Sequence, residues 1–123
     1  MSFENTTEMA EEHLRPLRDL CAGEVHFMIE GEKRLIFLGK LRFLVDKTEK
    51  VMDAVLLLNH NNPTYPTKLY VAEQLGCGLN WNETAFLLGR NWFTFSWRDV
   101  PSNQSPIGIL AAHLMPLSRG RAA

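Results

Sequence analysis

The sequence has no surplus of charge of either sign. Lys and Arg number 13, Asp and Glu 14, for a formal net charge of -1 over 123 residues. Such a balance lacks the basic surface that general nucleic-acid binding requires, and the tail Arg119-Gly120-Arg121 is too short to change this. Long apolar runs are also missing. The longest, Ala54 to Leu58, falls far short of the ~20 residues that span a bilayer. The start, Met1-Ser2-Phe3-Glu4, is acidic and has no signal-peptide core, so the reading places the protein in the cytoplasm. Cysteine is scarce: Cys21 and Cys77 are the two, and a reducing compartment keeps them as thiols. His13, His26, His60 and His113 stand at no metal-ligand spacing, so a zinc site is not expected. A phosphate-cradling loop, a nucleophile elbow and a zinc-protease helix motif are all lacking, and no cofactor is expected.

What remains is enough for one compact domain, residues 1–123. A chain of this length buries about two thirds of its unfolded surface and holds a core without staples. The first segment reads as a helix. Asn5, Thr6 and Thr7 offer N-caps, Glu8, Glu11 and Glu12 place negative charge near its start, and Ala10, Leu14, Leu17 and Cys21 share one face. Pro16 should kink it, and Gly23 should stop it.

The period then changes to two. Val25, Phe27 and Ile29 alternate with His26, Met28 and Glu30 as in a half-buried strand. A long strand over Arg34 to Val45, another over Val51 to Leu58 and a short one over Lys68 to Ala72 follow. Polar turns between them favour a four-stranded antiparallel meander. Asn59 to Pro66 is a loop rich in Asn and Pro. Glu73 to Asn91 reads as irregular, and Trp92 to Trp97 as an aromatic stretch with room to be extended. Ser105-Pro106 starts a last helix, with Ile107, Leu110, Ala111, Leu114 and Leu117 as its apolar face. Helix, meander, irregular segment and helix make an α+β domain.

Cys77 is the first chemical candidate. It lies between Gly76 and Gly78, which leave the sulfur without side-chain shielding, and a thiolate is a good nucleophile. Asn80 and Asn82 are candidate oxyanion donors beside it. The plainer alternative is a small residue in a tight turn. Cys21 falls on the apolar helix face and reads as core. His60, in the Asn-rich loop, is either a proton carrier or oxyanion donor or a solvated loop residue. Trp92, Phe93, Phe95 and Trp97 cannot all point into one face of an extended chain, so some cover a second surface or meet a partner.

The order of elements resembles the ubiquitin-conjugating-enzyme (UBC) fold. The strand from Val51 leading into Asn62-Pro63-Thr64-Tyr65-Pro66 looks like that fold's third strand and its proline-bearing turn. Gly89-Arg90-Asn91-Trp92, then Ser96-Trp97, then Leu110 to Leu117 are similar to divergent bacterial conjugating-enzyme-like families encoded beside ubiquitin-like proteins, activating enzymes and JAB-type peptidases. The resemblance implies that Cys77 accepts a ubiquitin-like protein as a thioester from an activating enzyme and passes it to an amine on a target protein. It further implies a bacterial conjugation system, with antiviral defence as its setting. The first helix, with Arg15 and Arg18, becomes the docking face for the activating enzyme, and Trp92 a partner-binding residue. The family's His-Pro-Asn triplet is missing, so its oxyanion role is unassigned here; Asn80 and the asparagines of the 59–62 loop are candidate substitutes without a motif match. Cys77 also lies further from Trp97 than in typical members. Two alternatives stay open: a noncatalytic interaction module of the same fold, and a small-molecule-binding α+β domain.

Overall fold

A computed structural model describes residues 9–81 and 83–119. The expected N-caps Asn5, Thr6 and Thr7, the acidic Glu8 and the candidate donor Asn82 lie outside the described residues. The first helix, α1, spans Glu11–Arg18. It ends sooner than the apolar face suggested. Pro16 removes a backbone donor, and the chain tightens through Leu20 N–H to Leu17 O and Cys21 N–H to Arg18 O. Leu14 and Leu17 are buried as expected, while Cys21 leaves the helix to bridge Leu41 in the sheet.

Six strands follow: β1 (Val25–Glu30), β2 (Lys33–Val45), β3 (Thr48–Leu57), β4 (Lys68–Val71), β5 (Glu83–Leu87) and β6 (Arg90–Thr94). They form one antiparallel sheet in the order β1-β2-β3-β4-β6-β5. The first four are the expected meander. The strand count corrects the expected four: β5 lies in the segment read as irregular, β6 overlaps the Trp92 to Trp97 stretch read as having room to be extended, and together they form a hairpin that adds two strands beyond β4. Its turn is Leu88-Gly89, with φ of 53° and 80°. Two positive φ values suit a two-residue turn between right-twisted strands, but such turns usually announce themselves as Asn-Gly or Asp-Gly. A leucine in that position hid the hairpin.

β2 carries a bulge between Leu38 and Leu41. Lys40 has φ 52°, and its N–H donates to Asp53 Oδ1 at 2.9 Å. Gly39 lets this happen: a Cβ there would stand 2.8 Å from Glu24 O, so only glycine lets the two backbones pass.

The sheet is buried on both faces near its middle, which explains why Ala54 to Leu57 is apolar without alternation. One face packs against the helices through Leu14, Leu17, Ile36, Leu38, Leu56, Leu69, Ile109 and Leu110. The other holds a second core of Leu35, Val55, Leu57, Tyr70, Leu87 and Trp92. This second core closes because the sheet curls. Trp92 meets Phe37 edge-on at 6.5 Å, and Leu88 N–H at the hairpin tip donates to Glu30 Oε2 at the end of β1. Two ion pairs, Lys68–Glu83 at 2.9 Å and Arg90–Asp53 at 3.0 Å, tie the hairpin down.

The last helix, α2, spans Pro106–Arg119 and starts as the Ser105-Pro106 pair indicates, with Ser105 Oγ accepting from Gly108 N–H at 3.3 Å. Its buried stripe is Pro106, Ile109, Leu110, His113, Pro116 and Leu117, whereas Ala111 is exposed and Ile107 and Leu114 are half-buried. The stripe was misplaced in the sequence because it contains a histidine. His113 is buried and its Nε2–H donates to Thr67 Oγ1 at 2.9 Å, whose own hydroxyl donates to Val100 O at 3.0 Å. Among the described residues, no helix is long and apolar enough to cross a membrane.

Candidate functional site

The segment after β4 packs Leu75, Leu79 and Trp81 against the helix-side core and turns sharply between them. Gly76, Cys77 and Gly78 have φ of 70°, 64° and 71°. Glycine occupies such a conformation freely, but the cysteine does so at a cost of roughly 1 kcal/mol. The turn is pinned on both sides. Gly76 N–H donates to Gln74 Oε1, Leu79 N–H donates to Gly76 O, and Trp81 Nε1–H donates to the same carbonyl at 2.6 Å. Trp81 in turn packs on Phe95 with ring centroids 5.1 Å apart.

The Cys77 thiol is half-buried and points to the C-terminal end of α2, where its Sγ lies 3.9 Å from Leu117 O. That carbonyl already accepts from Asp46 N–H at 2.7 Å. The thiol therefore sits beside an acceptor and near the Asp46 carboxylate. Its pKa is raised, first by burial and then by the Asp46 charge, and both effects disfavour the thiolate. Cys21 differs in degree: it is buried, and desolvation pushes its pKa up to about 11 although Arg42 pulls the other way. It is the core residue the helix pattern indicated.

Among the described candidates, His60 lies apart from Cys77. His60 Nδ1–H donates to Tyr65 O at 2.6 Å and its amide donates to Pro66 O, so the ring closes the 59–66 loop. This loop follows the C-terminal end of β3, while Asp46 and Cys77 lie at its N-terminal end. A ten-residue strand separates them, roughly 30 Å of extended chain. Asn80 is exposed, and its backbone carbonyl accepts from Ser96 N–H at 3.0 Å. The hydrogen bond from the thiol goes to Leu117, not to Asn80.

Of the expected partner-binding residues, Arg15 is exposed on α1. Arg18 is engaged within the protein, pairing with Glu11 and donating from Nη2 to Val25 O at 3.1 Å. Trp92 is a core residue instead: it is 0% exposed, its indole N–H donates to Leu87 O at 2.8 Å, and Arg90 covers its ring at 4.3 Å. A partner cannot reach that ring while the hairpin is closed.

Two features escaped the sequence reading. One is the His113–Thr67–Val100 chain, which joins residues far apart along the polypeptide. Burial, then the nearby Lys68 charge, lowers the His113 pKa to about 4, so the imidazole is neutral near pH 7. The other is Lys68, whose side chain is 5% exposed between Glu83 and the Tyr65 ring. Its place in a short strand next to a tyrosine carries no signal of burial. Among the described residues, no group of three or more His, Cys, Asp or Glu side chains converges to hold a metal ion. Comparison with protein-family models, with curated proteins and with solved structures finds no match to this chain.

Proposed function

We propose that this chain is a UBC-like domain that binds partners in a ubiquitin-like conjugation system without itself carrying a thioester. The observation behind the reading is the electrostatic setting of Cys77. Transthioesterification needs a thiolate to attack the incoming acyl carbon and donors to steady the oxyanion that forms. The groups beside Cys77 are a carbonyl and a carboxylate, which oppose both charges. His60 stands at the far end of a strand. The partners are those the family resemblance implies: a ubiquitin-like protein, an activating enzyme and a target protein, in the cytoplasm of a bacterium and in antiviral defence. The exposed face of α1 with Arg15 is the surface offered to the activating enzyme.

A second reading is favoured by one feature. Cys77 is half-exposed and flanked by two residues without side chains, so a bulky acyl donor meets little steric resistance. On this reading Cys77 is the transferase nucleophile. Its thiolate attacks the donor thioester, the donor's thiolate leaves, and an amine of the target later displaces Cys77.

Reconstitution separates the two. The protein is mixed with ATP and with the activating enzyme and ubiquitin-like protein of a bacterial conjugation system. The interaction reading expects a complex on size-exclusion chromatography and no reductant-sensitive adduct. An adduct that disappears in Cys77→Ala and persists in Cys21→Ala would replace it with the transferase reading. Absence of both complex and adduct would remove the conjugation setting altogether.

A further inference from the structure

Among the described residues the sheet ends in two edge strands, β1 and β5. An edge strand carries backbone N–H and C=O groups without a ladder partner, and proteins commonly blunt it. β1 is blunted: Arg18 Nη2–H donates to Val25 O at 3.1 Å, and α1 packs beside the strand. β5 has no such cover. Phe86 on it is 67% exposed, more than any other large apolar side chain among the described residues. The one charged residue of β5, Glu83, is already paired with Lys68 of the same sheet.

The hairpin register tells which groups this edge offers. Leu87 and Arg90 close the two-residue turn and exchange both ladder bonds, and bonded pairs then alternate along the strands. Ala85–Trp92 and Glu83–Thr94 are therefore the next bonded pairs. The N–H and C=O of Thr84 and Phe86 point away from β6, toward the open edge. Leu88 N–H, which follows in the same row, is taken by Glu30 Oε2 at 2.9 Å. Among the described residues, nothing outside the hairpin bonds the backbone of Thr84 or Phe86. The open groups thus belong to two residues placed symmetrically about Ala85.

We propose that β5 is a self-association edge, pairing antiparallel with β5 of a second copy of this chain about a two-fold axis through Ala85. In that register Thr84 of each copy faces Phe86 of the other, and four backbone hydrogen bonds satisfy every open group on both strands. The two Ala85 residues form the central non-bonded pair, where Cα atoms stand about 4.5 Å apart and a small side chain fits. Each Phe86 ring covers Thr84 of the other copy and reaches the second Phe86 on the diagonal. Charge permits the arrangement, because Glu83 faces Leu87 rather than its own image. An unrelated strand can take the same bonds; the symmetry about Ala85 is what singles out a second copy. The inference does not rest on the role of Cys77.

A contact of five residues a side is small, so the dissociation constant should be on the order of 100 μM. The test is sedimentation velocity of the full chain from about 20 μM to about 1 mM, with amide hydrogen exchange followed by NMR at both ends of that range. The expected result is a mass that rises from monomer to dimer and no further. The Thr84 and Phe86 amides should exchange about threefold or more slowly at the higher concentration. Thr84→Pro removes an outward N–H and leaves the β5–β6 ladder intact, and Phe86→Lys places a charge at an exposed position. Each should weaken the dimer by about tenfold or more with the far-ultraviolet circular dichroism of the monomer unchanged. Phe86→Lys decides alone if the proline variant fails to fold. A monomer at every concentration, growth beyond the dimer, a dimer indifferent to Phe86→Lys, or protection that appears on β1 instead of β5 would each overturn the proposal.

Discussion

The two ends of the sheet hold their polar groups in different ways. At the end formed by the β2–β3 turn, the groups around Cys77 are acceptors: Leu117 O and the Asp46 carboxylate. At the end formed by the β3–β4 loop, polar side chains are buried and satisfied: Lys68 pairs with Glu83, and His113 donates to Thr67. The first end is shaped by strained backbone and glycine, the second by buried side-chain hydrogen bonds. The thiol that drew attention in the sequence therefore sits where negative charge is unwelcome.

The β5–β6 hairpin, which closes the second core, should give the largest effect. Trp92→Ala removes the largest side chain of the second core and should cost about 3 to 5 kcal/mol, read by chemical denaturation. A loss below about 1 kcal/mol would mean that the curled sheet is not closed by this residue.

The β3–β4 end should show itself in acid. An unfolded His113 titrates near 6.5, and the folded one only near 4. Between these values the unfolded chain binds more protons, so stability present above pH 6.5 falls as pH drops and levels off below about 4. The loss from this group is on the order of 3 kcal/mol, and His113→Gln, which still donates to Thr67, should flatten that part of the pH–stability curve. An unchanged slope in the variant would place the acid sensitivity elsewhere.

The Cys77 end should respond to backbone changes. Gly78→Ala forces a Cβ into a left-handed residue and should cost about 1 kcal/mol, with a lowered unfolding midpoint as the readout. Stability gained on that substitution would show the turn to be looser than its φ values indicate.

The sequence made the meander legible because period-two alternation in β1 and β2 is a local signal, and the turns between β1 and β4 have ordinary polar composition. Part of β6 was legible as an extended aromatic stretch, but β5 and the pairing of the two were not, because the turn between them is Leu-Gly and β5 buries little of its length. The α2 stripe was shifted because His113 reads as polar until Thr67 is seen opposite it. At the candidate site, Cys77 and its glycines were visible at once. Asp46 and Leu117, which decide the state of its sulfur, belong to a turn and a helix brought alongside only by folding. Trp92 was misjudged for a related reason: an aromatic-rich run does not tell which ring faces inward until the sheet is seen to curl.

The most direct test of this contrast is the pH dependence of Cys77 alkylation by iodoacetamide, followed at that site by mass spectrometry in the intact protein and in Asp46→Asn. The account predicts a half-maximal rate above the 9.0 of an unperturbed thiol, moving down when the Asp46 charge is removed. A thiol that titrates below 9.0 and ignores Asp46→Asn would contradict it, because the sulfur would then be stabilised as an anion by groups other than those that surround it here.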